Sequence, residues 1–134
     1  MIKPEYDIVV VGGGPAGSSA ARKAAEQGVS VALFHRNTEI GVPVRCAEGI
    51  SRFILEKYIG KENIRTSWIA SKIKKCRLHS PAGQNVDVNL KDSGYILNRR
   101  IFDHDMAQCA TAAGASVFTA ANVFNLEKRA SHSL

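Results

Sequence analysis

Ile8-Val9-Val10-Val11 runs directly into Gly12-Gly13-Gly14-Pro15-Ala16-Gly17, and this junction limits the possible folds more than any other stretch of the chain. The stretch from Tyr6 to Val11, apolar and β-branched from Ile8 on, predicts a strand buried on both faces. The glycines break it, and Ala16 to Gln27 predicts a helix with Gly17, Ala20, Ala21 and Ala24 on one face. Residues that small let a helix lie close against a sheet. Gly28 is placed to end the helix, and Ser30 to Phe34 predicts a second short apolar strand. Strand, glycine turn, helix and strand within ~30 residues make a βαβ unit. Such a unit implies a parallel sheet.

Gly12, Gly14 and Gly17 match the pattern G-x-G-x-x-G, and Ala21 adds a small residue four positions on. Gly12 permits the tight turn out of the strand, Gly14 admits a pyrophosphate to the backbone, and Gly17 lets the helix cross the strand closely. Phosphates would then meet the free N–H groups and the positive end of the helix. The pattern by itself is weak evidence. Here it follows a predicted strand and opens a predicted helix, which is the context that gives it meaning. A Rossmann-like dinucleotide site is therefore expected. A carboxylate at the end of the second strand ordinarily takes the ribose hydroxyls of such a ligand. Phe34 is instead followed by His35-Arg36-Asn37. Imidazole can make one hydrogen bond there but not the pair a carboxylate makes, and Arg36 leaves open a 2′-phosphate site for NADP.

The rest of the chain adds elements around this unit. Thr38 to Gly49 predicts a loop. Ser51 to Tyr58 predicts a helix with Phe53, Ile54 and Tyr58 as its apolar stripe. Lys72 to His79 and the alternating Val86, Val88 and Leu90 predict two strands joined at Pro81-Ala82-Gly83, a hairpin inserted after the βαβ unit. Tyr95 to Leu97 predicts a short strand. Arg100 to Ala113 predicts a helix with Phe102, Met106, Cys109 and Ala113 facing the core, ended by Gly114. Ser116 to Phe118 and Asn122 to Phe124 are expected to return to the sheet. The fold class expected is α/β, with residues 1–124 as the nucleotide-binding region and 125–134 as a polar tail.

Composition narrows the function. Eighteen basic residues against twelve acidic ones give a net charge of +6, which permits an anionic partner. Lys72, Lys74, Lys75 and Arg77 cluster on a predicted strand, where lysines guarding a sheet edge explain them better than nucleic-acid binding. No apolar run approaches the ~20 residues of a membrane span, and the start lacks a secretory signal's pattern. A soluble, cytoplasmic protein is expected. Cys46, Cys76 and Cys109 form no C-x-x-C pair, so no metal site or dithiol redox pair is expected.

Three segments together resemble the geranylgeranyl reductase family of FAD-dependent oxidoreductases. They are Tyr6 to Ser18, with proline after the third glycine of the turn; Glu39-Ile40-Gly41-Val42-Pro43-Val44-Arg45-Cys46-Ala47-Glu48-Gly49; and Tyr95-Ile96-Leu97-Asn98-Arg99-Arg100-Ile101-Phe102-Asp103. The middle segment is the specific one, since the outer two are shared across a broad flavoprotein superfamily. The resemblance covers the chain up to about Val123.

The resemblance implies that FAD lies extended with its ADP half on the glycine turn. It assigns cofactor contacts to Gly12, Gly14, Pro15, Ala16, Gly17, His35, Arg36, Arg45, Cys46, Ala47, Arg99 and Val123. Arg45 and Arg99 would meet the flavin's phosphates or neighbouring backbone, and Cys46 would stand beside the isoalloxazine as the catalytic candidate. Glu48 either orients the loop or serves as a helix N-terminal carboxylate. Ala47 stands where glycine is common, a change that requires a negative φ there. Cys76 is expected to be structural.

The activity implied is reduction of carbon–carbon double bonds in isoprenoid chains, free or attached to a lipid or pigment, with hydride from reduced flavin. NAD(P)H or ferredoxin would act as the external electron donor. A hydrocarbon substrate implies peripheral contact with a membrane. An FAD- and NADPH-dependent aromatic-ring hydroxylase shares the outer segments, and a non-catalytic nucleotide-binding remnant is the reading from a different class. A flavin domain with a substrate domain needs ~250–400 residues, at ~100–200 each. The 134 residues are therefore expected to be the N-terminal part of such an enzyme, without its substrate domain.

Overall fold

The computed structural model describes residues 2–128, apart from the side chains of residues 90–93. The order of elements is β1 (Ile8–Val11), α1 (Pro15–Glu26), β2 (Val31–Phe34), β3 (Gly49–Ser51), α2 (Arg52–Ile59), β4 (Ile69–His79), β5 (Asn85–Leu97), α3 (Arg99–Ala112) and β6 (Ser116–Phe118). Short 3-10 turns occupy Lys61–Asn63 and Thr66–Trp68. The chain divides into two compact units. One holds the residues up to Val42 and those from Asp103 onward; the other is Pro43–Phe102.

The first unit contains the expected βαβ arrangement. Its sheet has the order β1-β2-β6 and is parallel throughout, with Ile8 opposite Val31, Val11 opposite Phe34, and Ala32 to Phe34 opposite Ser116 to Phe118. Val31 and Leu33 sit two residues apart and so share a face. They pack with Ala21 and Ala25 of α1 and with Ala110 and Ala115, all six residues buried. Small side chains on both helices bring the layers together, as the alanine-rich face of α1 predicts. Phe34 stacks on Phe118 with ring centroids 5.2 Å apart. The strands β1 and β2 are also tied at their starts, where the Asp7 carboxylate accepts the Ser30 amide at 2.7 Å and the Ser30 hydroxyl at 2.5 Å.

Three expectations for this unit need correction. β1 is not buried on both faces: Ile8, Val9 and Val11 are exposed, and Val10 alone packs against the core cluster. Among the described residues β1 pairs with β2 alone and stands at the sheet edge, so it is the central strand β2 that carries the buried run. Asn122 to Phe124 does not rejoin the sheet, and Phe124 is almost fully exposed. The chain leaves β6 through Ala120, at φ 52°, and its main chain bonds to the segment after β2 instead. Cys109 is half-buried, whereas its neighbour Ala110 holds the fully buried position. The polar tail carries no regular element as far as residue 128, and its remainder, 129–134, lies outside the described residues.

The second unit is an antiparallel sheet of order β3-β5-β4 with α2 against it. β4 and β5 form the expected hairpin, closed by Ser80 and Gln84, whose bonds include Ser80 N–H to Gln84 O at 2.9 Å. The two strands predicted at Val86 and Tyr95 are one continuous strand, β5, with register irregularities in the ladder to β4 absorbing the Lys91-Asp92-Ser93 interruption. Val86 is exposed rather than half-buried, and Leu90 falls among the side chains not described. Lys72, Lys74 and Lys75 are exposed on β4, an edge strand, where charge opposes pairing with another chain. Cys76 is half-buried on the same strand. Arg77 and Asp87 face one another across the ladder in a two-pronged ion pair at 2.6 and 2.8 Å.

The apolar stripe of α2 also differs from expectation. Phe53 and Tyr58 are each about 70% exposed, while Leu55 is buried. The helix packs on β5 with Leu55 buried, and Phe53, Ile54 and Tyr58 lie on the open side. Trp68 and Phe102 are also buried, in an edge-to-face pair with centroids 5.1 Å apart, and Leu97 is buried as well.

Candidate functional site

The glycine turn owes its shape to one backbone conformation and one close approach that a side chain would oppose. Gly12 has φ 101°, a conformation that disfavours a β-carbon, and its amide donates to the Phe34 carbonyl at 2.8 Å. A β-carbon on Gly17 would overlap the Gly12 carbonyl oxygen. Gly17 is thus the residue that lets α1 start directly over the end of β1. At Gly12 and Gly14 a β-carbon would meet nothing within 4 Å. Those two positions leave bare backbone beside open space.

α1 begins at Pro15, which has no amide, and its N-terminus has neither a side-chain cap nor an acidic residue in the first turn. The amides of Ala16 and Gly17 precede the first intrahelical bond, which runs from Ser18 N–H to Gly14 O at 2.9 Å. The helix end is therefore electropositive and uncapped, as an anion-binding turn requires.

His35 is fixed to this turn from several sides. Its amide donates to Phe118 O at 2.8 Å, its carbonyl accepts from Ala121 N–H at 2.9 Å, and its Nδ1 accepts from Gly13 N–H at 3.1 Å. In a neutral ring, an accepting Nδ1 places the proton on Nε2. That Nε2 is buried and has no partner among the described residues. A buried donor left unpaired costs about 1–3 kcal/mol. His35 lines a pocket of about 290 Å³ together with Val11, Gly12, Phe34, Arg36, Ala121, Asn122 and Val123. A ligand hydroxyl accepting from Nε2 would remove that cost.

Of the residues singled out from the sequence, Gly12, His35, Arg36 and Val123 line this pocket, and Gly14, Pro15, Ala16 and Gly17 form the turn and helix start in the same unit. Arg45, Cys46, Ala47 and Arg99 belong to the second unit. There Arg45, Cys46 and Ala47 are exposed. Ala47 has no positive φ, so alanine is accommodated without strain. The left-handed residue is its neighbour Glu48, at φ 62°. The Glu48 amide donates to Cys46 Sγ at 3.3 Å and its carboxylate accepts from Arg99 N–H at 3.3 Å. Glu48 is therefore an N-terminal carboxylate of α3. Sequence reasoning missed Ala121 and Asn122, because only the pairing of β6 beside β2 brings them to His35.

Comparison with known proteins agrees with this geometry. The model of the FAD-dependent oxidoreductase family matches residues 7–127. The chain belongs to the FAD-dependent oxidoreductase family. FAD is the cofactor of that family, and a bare glycine turn, an uncapped helix end and an unpaired buried donor fit the ADP half of such a molecule. Among relatives within the FAD-dependent oxidoreductases, the digeranylgeranylglycerophospholipid reductase of Methanocella arvoryzae is 44% identical over 120 residues, covering 87% of this chain and 30% of the relative. That of Methanosarcina acetivorans is 45% identical over 120 residues, covering 87% and 29%. The crystal structure of a geranylgeranyl bacteriochlorophyll reductase-like protein from Thermoplasma acidophilum superposes with a TM-score of 0.76 at 39% identity, over 86% of this chain and 30% of that one. The chain thus spans about 30% of the length of these relatives. Among the described residues no helix is long and apolar enough to cross a membrane.

Proposed function

We propose that this chain is the FAD-binding, N-terminal portion of a reductase that saturates carbon–carbon double bonds in the isoprenoid chains of glycerophospholipids. The identity of 44% over 120 residues to a relative named for that reaction carries the reading. Gly12, Gly14 and the start of α1 from Pro15 to Gly17 receive the pyrophosphate. His35 donates from Nε2 to a ribose hydroxyl, with Arg36 and Val123 beside it. Arg45, Ala47 and Arg99 contact the cofactor's phosphates or the neighbouring backbone, and Cys46 stands by the flavin ring. Bound FAD, once reduced, would supply hydride to one alkene carbon while a proton reaches the other. The protein's part is to orient cofactor and chain and to exclude water. An external reductant restores the flavin, and the lipid substrate brings the enzyme to the periphery of a membrane.

Fluorescence titration with FAD, and with ADP in parallel, tests the cofactor assignment. Micromolar binding of both supports it, and a folded chain that binds neither overturns it. The reaction is tested in a hybrid in which this chain replaces the matching segment of the Methanocella arvoryzae protein. Digeranylgeranyl glycerophospholipid should gain hydrogen and no oxygen by mass spectrometry. Oxygen gain would identify a hydroxylase instead.

A further inference from the structure

Glu48 occupies a position where glycine would be relaxed. At φ 62° it is one of two non-glycine residues with positive φ among those described, in a region that disfavours any side chain with a β-carbon. Such a conformation persists only where the surroundings hold it. Here the main chain and the side chain of one residue are both engaged. The Glu48 amide donates to Cys46 Sγ at 3.3 Å, its carbonyl accepts from Leu97 N–H at 2.9 Å, and its Oε1 accepts from Arg99 N–H at 3.3 Å. Between the last two, Asn98 N–H donates to Trp68 O at 2.7 Å. Three consecutive amides at the junction of β5 and α3 are thus satisfied, two of them by Glu48. The next residue, Gly49, begins β3 opposite Ile96 of β5.

The carboxylate has a job that the backbone bonds cannot do. Arg99 is the first residue of α3, and its amide has no acceptor within the helix. A carboxylate there satisfies the amide and complements the positive helix end. The left-handed main chain and this side-chain bond occur in the same residue.

We infer that Glu48 is a positioning residue that locks the Cys46 turn to the first turn of α3, fixing Cys46 and Arg99 relative to each other for the cofactor. This rests on the proposed reading of those two residues as flavin contacts. Glu48 itself touches neither cofactor nor substrate in this role.

Two substitutions separate the parts. Glu48→Gly relaxes the backbone and removes the acceptor; Glu48→Gln keeps both the strain and an accepting Oε1. Three readouts follow for each: thermal midpoint, hydrogen exchange at the Arg99 amide, and FAD affinity of the full chain. Glu48→Gly should leave the midpoint unchanged or raised, while Arg99 exchange quickens and FAD binding weakens, each by about tenfold for one lost hydrogen bond. Glu48→Gln keeps the acceptor and loses only the charge at the helix end, so its Arg99 exchange and FAD affinity should stay closer to the parent than those of Glu48→Gly. If Glu48→Gly binds FAD as the parent does, the inference fails and the flavin reading stands. If its affinity and midpoint fall together, Glu48 is merely structural and the inference fails. A parent chain that binds no FAD overturns the flavin reading and this inference with it.

Discussion

The Gly13 amide and the His35 imidazole, 22 residues apart in sequence, meet in a 3.1 Å hydrogen bond that joins the glycine turn to the end of β2. That bond sets the tautomer of His35 and leaves its Nε2 as a donor. The site is therefore a hydrogen-bond donor where a carboxylate would be an acceptor. The consequence is measurable. His35→Ala should weaken FAD and ADP alike, by about 5–10-fold for one hydrogen bond, because the proposed contact is to the half the two ligands share. His35→Glu should bind both at least as tightly as the parent, since a carboxylate can accept from Gly13 and from two hydroxyls. Paired isothermal titrations with FAD and ADP check this, and an effect on FAD alone would place His35 elsewhere on the ligand.

The glycines of the turn divide into one that packing requires and others beside open space. Gly17→Ala drives a β-carbon into the Gly12 carbonyl oxygen and should destabilise the fold by about 1–3 kcal/mol. Gly14→Ala meets no neighbour and should leave stability within about 0.5 kcal/mol, yet weaken FAD binding by placing a methyl where phosphate must approach. Urea unfolding and FAD titration on both variants read the two effects separately.

Leu55→Ala tests which side of α2 faces the core. Leu55 is fully buried, and its truncation should cost about 2–5 kcal/mol. Phe53→Ser, on the exposed side, should change stability by no more than about 0.5 kcal/mol. The opposite order in a denaturation series would restore the Phe53–Tyr58 stripe read from the sequence.

The Ser30 hydroxyl, and then the Ser30 amide, hold the Asp7 carboxyl below the usual aspartate range. A carboxyl lowered in the folded state contributes stability that is present above its unfolded value, ~3.9, and is lost as pH falls through the folded value. The difference in urea midpoint between the parent and Asp7→Asn should therefore be constant near neutral pH and shrink only in acid below ~3.9. A difference that persists unchanged at the acid end would exclude the carboxylate as its source.

Local chemistry made the first half of the site readable. Gly12, Gly14 and Gly17 follow a β-branched run and open an alanine-faced helix, and turn, helix and parallel strand follow from short-range sterics that few other residues would allow. The hairpin was legible for the same reason, since alternating side chains flank a turn-forming Pro-Ala-Gly.

Burial was decided by neighbours distant in sequence. β1 has the composition of a central strand, yet β2 takes that place because β6 pairs on its other side. The stripe of α2 depends on where β5 runs, and helical spacing alone did not reveal which of its two apolar sides would pack. Ala121 and Asn122 reach His35 only through the pairing of β6 with β2. Glu48 carries no sign of its left-handed backbone in its residue type, because that conformation is imposed by hydrogen bonds from Leu97 and Arg99. The sequence by itself thus determined the βαβ unit, the hairpin and the glycine turn, whose causes are local. Only the tertiary structure decided which faces are buried and which distant groups meet, because those depend on pairings across the whole chain.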